Sequence, residues 1–484
     1  MFQKKVKDRH FVPQVCPAIL LLKEFRMHRR QFHQTILFSS TAALAHALRP
    51  HFVSGTAQTG AQSTAQSTAQ RAAQELASES VWSPVLAKTE LFTERTLEWF
   101  THGSRPEWNA ADPAQHDTFA VLHPKTGKRA GLPLYVVLHS AGHSVQTCLE
   151  CTKTKGNHDI YHAPESFFAL YVDCAANRID WWWGGLAAHE TVNDANRAKA
   201  GLELTPCEKR IIDTVKWTIA KYQIDPDRVY LCGNSMGGSG TLGIGLRHGD
   251  IFAAVKANVP AGALHAAHRM GFIDADGKEL PPDAVPAGLI PEPPVCIDYS
   301  GTNDSWSNGH ELLFSGMKRH RYPLIAYWGT FGHANNTEKI CEVNDLIESF
   351  DWLSIRKNAA YPVFTNAQCD DPVPWPEREK CTTPGQVNAW FRWENVTDLP
   401  RGSEMDLWLV SNEELNSKFF TVPQSTTADV TLRRLQSLKL QPDQMVRWEY
   451  GTQCGTVKTD PRGLLSIPSL TLTQQKTRLK LRVQ

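Results

Sequence analysis

The stretch Gly233-Asn234-Ser235-Met236-Gly237-Gly238 constrains this chain more than any other. Ahead of it runs Arg228-Val229-Tyr230-Leu231-Cys232, apolar and β-branched, which predicts a short strand buried on both faces. Behind it, small residues open a helix. A serine at G-x-S-x-G spacing between strand and helix sits on a turn so sharp that glycines must flank it, because a Cβ at either flank would block the close approach. Gly233 and Gly237 occupy those flanks, with Asn234 beside the serine. Ser235 is therefore the candidate nucleophile, its hydroxyl projecting above a sheet edge. The Met236 N–H, at the helix start, faces the place where negative charge gathers when that hydroxyl attacks a carbonyl.

Similar apolar runs recur along the chain at Leu134–Leu138, Phe167–Val172, Phe252–Val259, Val295–Tyr299 and Leu324–Trp328. Helix-like segments separate them. One is marked by Thr205-Pro206-Cys207-Glu208, a capping box with proline at the first helical position, followed by Ile211, Ile212, Val215, Ile219 and Tyr222 on one face. Others run from Gly309 to Lys318 and from Val343 to Leu353. Strands alternating with helices predict an α/β fold, a mostly parallel sheet with helices on both faces.

A serine hydroxyl needs a base to take its proton and an acid to orient that base. On a parallel sheet both belong on loops after later strands. Asp304 lies in the Gly-containing loop after Val295–Tyr299 and is the candidate acid, with Asp298 as rival and a helix cap for the segment from Ser307 as the competing role. His333 follows Leu324–Trp328 in Gly329-Thr330-Phe331-Gly332-His333 and is the candidate base. A lone histidine among 19 carries little weight. Here its place counts, since the three occur in the order Ser, Asp, His, each after an expected strand. His139-Ser140-Ala141-Gly142, after Leu134–Leu138, supplies the second oxyanion donor from the backbone of Ser140, Ala141 or Gly142.

With these residues in view, Asp225 through Gly238 resembles the esterase branch of the α/β-hydrolase superfamily. That branch includes polyhydroxybutyrate depolymerase-like and feruloyl or acetylxylan esterase-like proteins and stands near prolyl oligopeptidase-type predicted peptidases. The resemblance covers residues 130 to 355. It implies acyl transfer through a serine ester without metal or organic cofactor, and matches Ser235 to the nucleophile, Asp304 to the acid and His333 to the base. One departure is His139-Ser140-Ala141-Gly142 where H-G-x-G is commoner.

Beyond Arg356 the pattern changes. A Pro-rich stretch gives way to short alternating runs, among them Val387–Trp393, Met405–Val410, Ala428–Leu432 and Leu479–Val483, which predict an all-β, sandwich-like module. The expected organisation is an export signal over 1–47, a low-complexity tether over 48–80, the catalytic domain over 81–356, a Pro-rich connector over 357–385 and the β module over 386–484.

The signal rests on Met27-His28-Arg29-Arg30, paired arginines ahead of a moderately apolar run that ends in Ala45-His46-Ala47, which resembles a twin-arginine leader and predicts export to the periplasm or beyond. A mitochondrial-type presequence competes with it. No later stretch reaches the roughly 18 apolar residues a bilayer crossing needs, so stable membrane insertion is not expected. With 51 basic residues against 50 acidic ones there is no electrostatic footprint for nucleic acid. In an oxidising compartment some of the eleven cysteines should pair, and Cys369 with Cys381 is the nearest candidate. Cys148-Leu149-Glu150-Cys151 with His158 and His162 is half of a metal pattern and no more, so no metal is expected.

Trp181, Trp182 and Trp183 follow the strand ending near Val172, on the side where the site belongs. Together with His139 they are candidates for substrate contact, with packing as the competing role for the tryptophans. The expected substrate is a small-molecule or polymer-derived ester, an acylated carbohydrate among them. Two other functions compete: a peptidase of prolyl oligopeptidase type, against which stands the lack of a propeller-like repeat ahead of residue 130, and a non-catalytic carbohydrate-binding scaffold.

Overall fold

The computed structural model describes residues 82–105, 108, 116–125, 130–156, 158–174, 182, 204–274, 276–285, 290–334 and 338–484. The expected export signal and tether lie outside these residues, as do Trp181 and Trp183.

Nine strands before residue 330 build the large sheet: β1 (Val85–Phe92), β2 (Arg95–Gly103), β3 (His116–Leu122), β4 (Leu134–Leu138), β5 (Phe168–Val172), β6 (Val229–Asn234), β7 (Ala254–Asn258), β8 (Val295–Gly301) and β9 (Leu324–Gly329). Their order is β1-β2-β3-β5-β4-β6-β7-β8-β9. From β5 to β9 all neighbours are parallel, and every residue of β4 to β9 is buried, as expected of strands covered on both faces. This is an α/β-hydrolase fold. Because the strands are parallel, the loops after β4, β6, β8 and β9 gather at one edge, where a site can be assembled from them.

Helices cover the faces: α1 (Val145–Cys151), α2 (Pro206–Tyr222), α3 (Met236–Gly240), α4 (Ala263–Arg269), α5 (His310–His320) and α6 (Asn344–Ser349). α2 begins as its sequence predicts, with the Thr205 hydroxyl accepting from the Glu208 N–H and the Glu208 carboxylate accepting from the Thr205 N–H. The amino-terminal strands β1 and β2 form a hairpin that β3 joins antiparallel to β5. No expectation from the sequence included it.

The carboxy-terminal part crosses the boundaries expected for it. β10 (Tyr361–Thr365), inside the expected connector, pairs with β14 (Ser425–Arg433), which pairs with β17 (Ser466–Thr473). The chain then returns to the large sheet, where β11 (Gly385–Val387) pairs antiparallel with β9 and closes that edge. A second sheet follows, in the order β12-β13-β18-β15-β16, from β12 (Phe391–Leu399), β13 (Gly402–Leu409), β15 (Met445–Tyr450), β16 (Gln453–Lys458) and β18 (Thr477–Val483). β10 escapes sequence reading because Pro362 suggests a breaker and its five buried residues show no alternation. One apolar core runs through both parts, from Tyr230 and Tyr299 to Val363, Leu407 and Leu479, within a single compact unit from Ser83 to Gln484.

The expected Cys369–Cys381 disulfide is absent: both are free thiols, as are the other cysteines among the described residues. The loop between them folds over α5, where Trp375 stacks on His310 and donates to the Ser307 carbonyl, so its ends are held by packing instead of by each other.

Candidate active site

The elbow geometry explains its glycines. Ser235 has φ 59° and ψ −117°, outside the regions ordinary residues prefer. Its N–H donates to the Asn258 carbonyl at 2.9 Å, fastening the turn to β7. A Cβ on Gly237 would lie 1.9 Å from the Leu138 carbonyl oxygen, and one on Gly233 would lie 2.3 Å from the Gly237 carbonyl carbon. Strand, turn and helix meet there at backbone contact.

Over this turn, the three residues singled out by chain order lie in one hydrogen-bonded line. The Ser235 Oγ is 2.7 Å from His333 Nε2, and His333 Nδ1 is 2.7 Å from Asp304 Oδ2. With the carboxylate on Nδ1, that nitrogen carries the proton and Nε2 is left to accept from the serine hydroxyl. Asp304 is fully buried while the His333 side chain is 34% exposed, so the imidazole alone of the pair meets solvent. The other oxygen of Asp304 accepts from the Trp306 N–H at 2.8 Å. Asn303 ties the Asp304 loop to the His333 loop, its N–H donating to Phe331 and its amide to Thr330. The rival Asp298 is buried in β8, where it accepts from the Ser300 hydroxyl at 2.8 Å and lies 3.5 Å from His310.

The loop after β4 differs from expectation at Ser140. The Ser140 N–H donates to the Tyr161 hydroxyl at 2.8 Å, and its own hydroxyl reaches Tyr161 and the Asn234 carbonyl. Ser140 is thus committed to holding the loop onto β6. Ala141 and Gly142 are exposed, and Gly142 takes φ 75°, which suits glycine. Met236, the first residue of α3, has no intrahelical acceptor for its N–H.

His139 and Trp182 do not line a cleft. His139 is 1% exposed, its Nδ1 donating to the Ser140 carbonyl and its Nε2 accepting from the Cys174 N–H. Trp182 is fully buried, donates to the His139 carbonyl at 3.0 Å and packs edge-on against that ring. The strand-end histidine and one tryptophan are therefore core anchors. Burial of a loop under its own side chains is invisible in sequence.

Other residues around the site were not expected there, and His158 had been read only as part of half a metal pattern. Tyr161 secures the loop. His158 stacks on Tyr161 with ring centres 5.1 Å apart, and His143 lies 4.8 Å from His158. Burial, then the neighbouring His143 and His333, push the His158 imidazole down to about 4; burial, then His139, does the same for His143. Both are neutral at pH 7, an uncharged aromatic wall beside His333. Trp306, 39% exposed, stands 6.4 Å from the His333 ring on the other loop. Its place two residues after Asp304 was the available signal.

Behind the elbow, Glu208 of α2 pairs with the fully buried Arg269 of α4 and with His248 at 3.0 Å, while Arg269 donates to the Gly243 carbonyl at 2.6 Å, just past α3. Burial favours the neutral acid, but Arg269 and His248 outweigh it and hold the Glu208 carboxyl at about 2.

The sequence profile of the prolyl oligopeptidase family matches residues 207–270, the span from α2 to the end of α4. No curated protein sequence matches the chain. Among solved structures it is similar to an S-formylglutathione hydrolase from Agrobacterium tumefaciens, at 14% identity over 51% of this chain and 92% of that one, with a TM-score of 0.34. It is also similar to a CE1 ferulic acid esterase from Anaeromyces mucronatus, at 18% identity over 52% and 89%, TM-score 0.35. A third is a putative dipeptidyl aminopeptidase IV from Bacteroides ovatus, at 16% identity over 49% and 33%, TM-score 0.31.

Proposed function

We propose that this chain is a serine hydrolase that cleaves carboxylic esters through an acyl-enzyme intermediate. The observation that carries this reading is the line from Ser235 Oγ through His333 to the buried Asp304, 2.7 Å at each step, above a serine at positive φ. His333 takes the hydroxyl proton as Ser235 attacks the ester carbonyl, and Asp304 stabilises the imidazolium that forms. The N–H groups of Met236 and Ala141 receive the oxyanion. His333 then returns the proton to the leaving alcohol, and water repeats the sequence to free the acid. The chemistry calls for no metal or organic cofactor.

The substrate follows from the surroundings. The neutral rings of His143 and His158, together with the part-exposed Trp306 near His333, suit a flat or sugar-bearing ester better than a charged one. Acylated polysaccharide fragments fit it, and Trp181 and Trp183 are proposed to extend the contact. The paired arginines before residue 35 support export from a bacterial cytoplasm. Among the described residues no helix is long and apolar enough to cross a membrane.

The match over 207–270 favours one second reading, a peptidase of prolyl oligopeptidase type. Burst kinetics with p-nitrophenyl acetate, set beside aminoacyl p-nitroanilides, separate the two. An acetyl adduct on wild type that is missing from Ser235→Ala, with slow anilide turnover, supports the esterase. Faster anilide turnover supports the peptidase, and no adduct at Ser235 from a folded protein rejects both.

A further inference from the structure

The turn that carries Asp304 is bonded from outside the hydrolase sheet as well as from within. Inside it, the Ser307 N–H donates to the Asp304 carbonyl at 3.1 Å and the Trp306 N–H donates to the Asp304 carboxylate at 2.8 Å. Four residues thus fix both the acid and the Trp306 ring. Each end of the turn also accepts a side-chain donor from one distant segment. Arg378 Nε donates to the Asp304 carbonyl at 3.1 Å, and Trp375 Nε1 donates to the Ser307 carbonyl at 2.7 Å.

Both donors belong to the loop between β10 and β11, a stretch that the sequence offers only as a Pro-rich connector. The loop is pinned at its own base to the β module and to the sheet edge. The Gln368 N–H donates to the Thr427 carbonyl of β14 at 3.0 Å, and the Gln386 amide of β11 donates to the Cys369 carbonyl at 2.7 Å. The Asp370 and Asp371 carboxylates accept from the N–H groups of Asn388 and Gln386 at 2.8 and 2.9 Å. Trp375 is buried, stacked on His310 with ring centres 4.5 Å apart and edge-on to Trp328 of β9 at 5.9 Å. His310 is fully buried beneath it, its Nε2 2.9 Å from the Ser300 hydroxyl of β8. The two donors therefore stand on a fixed base. A carboxylate that orients a catalytic imidazole has to be held within about half an ångström, and bonds from a rigid partner supply that restraint.

We infer that Arg378 and Trp375 are positioning residues of the Ser235 site: by holding the carbonyls of Asp304 and Ser307, they set the Asp304 carboxylate against His333 Nδ1. The inference rests on the hydrolase reading of Ser235, Asp304 and His333. It adds that turnover depends on a loop anchored in the β module, acting through Asp304.

Arg378→Met and Arg378→Gln test it. Both remove the charge and keep a long side chain, but only glutamine puts an N–H where Nε stands, so any difference between them reports the bond alone. With p-nitrophenyl acetate, Arg378→Met should lower kcat about tenfold with KM within about twofold, and Arg378→Gln should recover most of that loss. A carboxylate that drifts from His333 stabilises its imidazolium less. The acid limb of kcat/KM, where His333 takes up a proton, should therefore lie at lower pH in Arg378→Met than in Arg378→Gln. Trp375→Phe keeps a ring on His310, removes the other donor and should reproduce both effects, which covers the case that Arg378→Met misfolds. Equal kcat and equal acid limbs in the methionine and glutamine variants, with Trp375→Phe like wild type, would overturn the inference, as would a loss confined to KM. A fluorophosphonate adduct at Ser235 tells the two readings apart. If every variant forms it and kcat does not move, the positioning role alone falls; if wild type forms none, the hydrolase reading falls with it.

Discussion

At Ser235 a strained backbone, two flanking glycines and an imidazole meet within a few ångströms, and each can be changed separately. Replacing Ser235 with alanine is expected to lower kcat for p-nitrophenyl acetate by about 10,000-fold or more while the thermal transition stays in place. Asp304→Asn should cost a similar factor, since the amide presents the wrong tautomer of His333 to the serine. Gly237→Ala is a different experiment. Its new methyl would sit 1.9 Å from the Leu138 oxygen, so strand and helix must part, and a loss of about 3 kcal/mol in urea unfolding should accompany the loss of activity. That Ser235, Asp304 and His333 would meet in space was legible in the sequence, because strand ends and chain order mark them; the roles proposed for them await the substitutions above. His139 and Trp182 were misjudged because sequence shows where a loop begins and not which side chains it buries beneath itself.

Among the elements, the loop after β4 and the helices α2 and α4 decide how firmly the site is held. Tyr161 fastens that loop through the Ser140 N–H and hydroxyl. Tyr161→Phe leaves a buried N–H without its acceptor, at about 1–3 kcal/mol, and should lower kcat roughly tenfold or more with little change in KM. The network behind the elbow makes a pH prediction. Burial lowers the His248 imidazole, yet Asp250 and Glu208 raise it above 6.5 on balance. A raised native value means that stability is fully present below about 6.5 and lost as pH rises through that native value. The Tm advantage of wild type over His248→Gln should therefore shrink between pH 6.5 and 9 in calorimetry, and a constant difference would contradict the role given to His248. Glu208 announced its helix as half of a capping box; its partnership with Arg269, 61 residues later, left no local trace.

For the whole molecule, the β module and the hydrolase sheet are bound by charged side chains as well as by a shared core. Arg434, after β14, donates to the carbonyls of Gly249 and Glu292 at 2.8 and 2.9 Å, and Arg433 pairs with Glu292. Arg434→Ala strands these oxygens and should cost about 3 kcal/mol, read as one lower cooperative transition instead of two separate ones. The parallel sheet and the all-β character of the last hundred residues were legible from run length and alternation. The way the two are threaded was not, since a three-residue strand such as β11 has no periodicity to detect. That threading bears on where the chain can be cut. The large sheet's closing strand comes after the module's opening strand, so the module cannot be trimmed away without disturbing the large sheet. A cut before β10 takes β11 with it and bares the edge of β9, and a cut after β11 leaves β10 behind without β14. A chain cut at either place should therefore unfold at a lower temperature than the intact one, the first cut by exposing β9 and the second by leaving β10 unpaired.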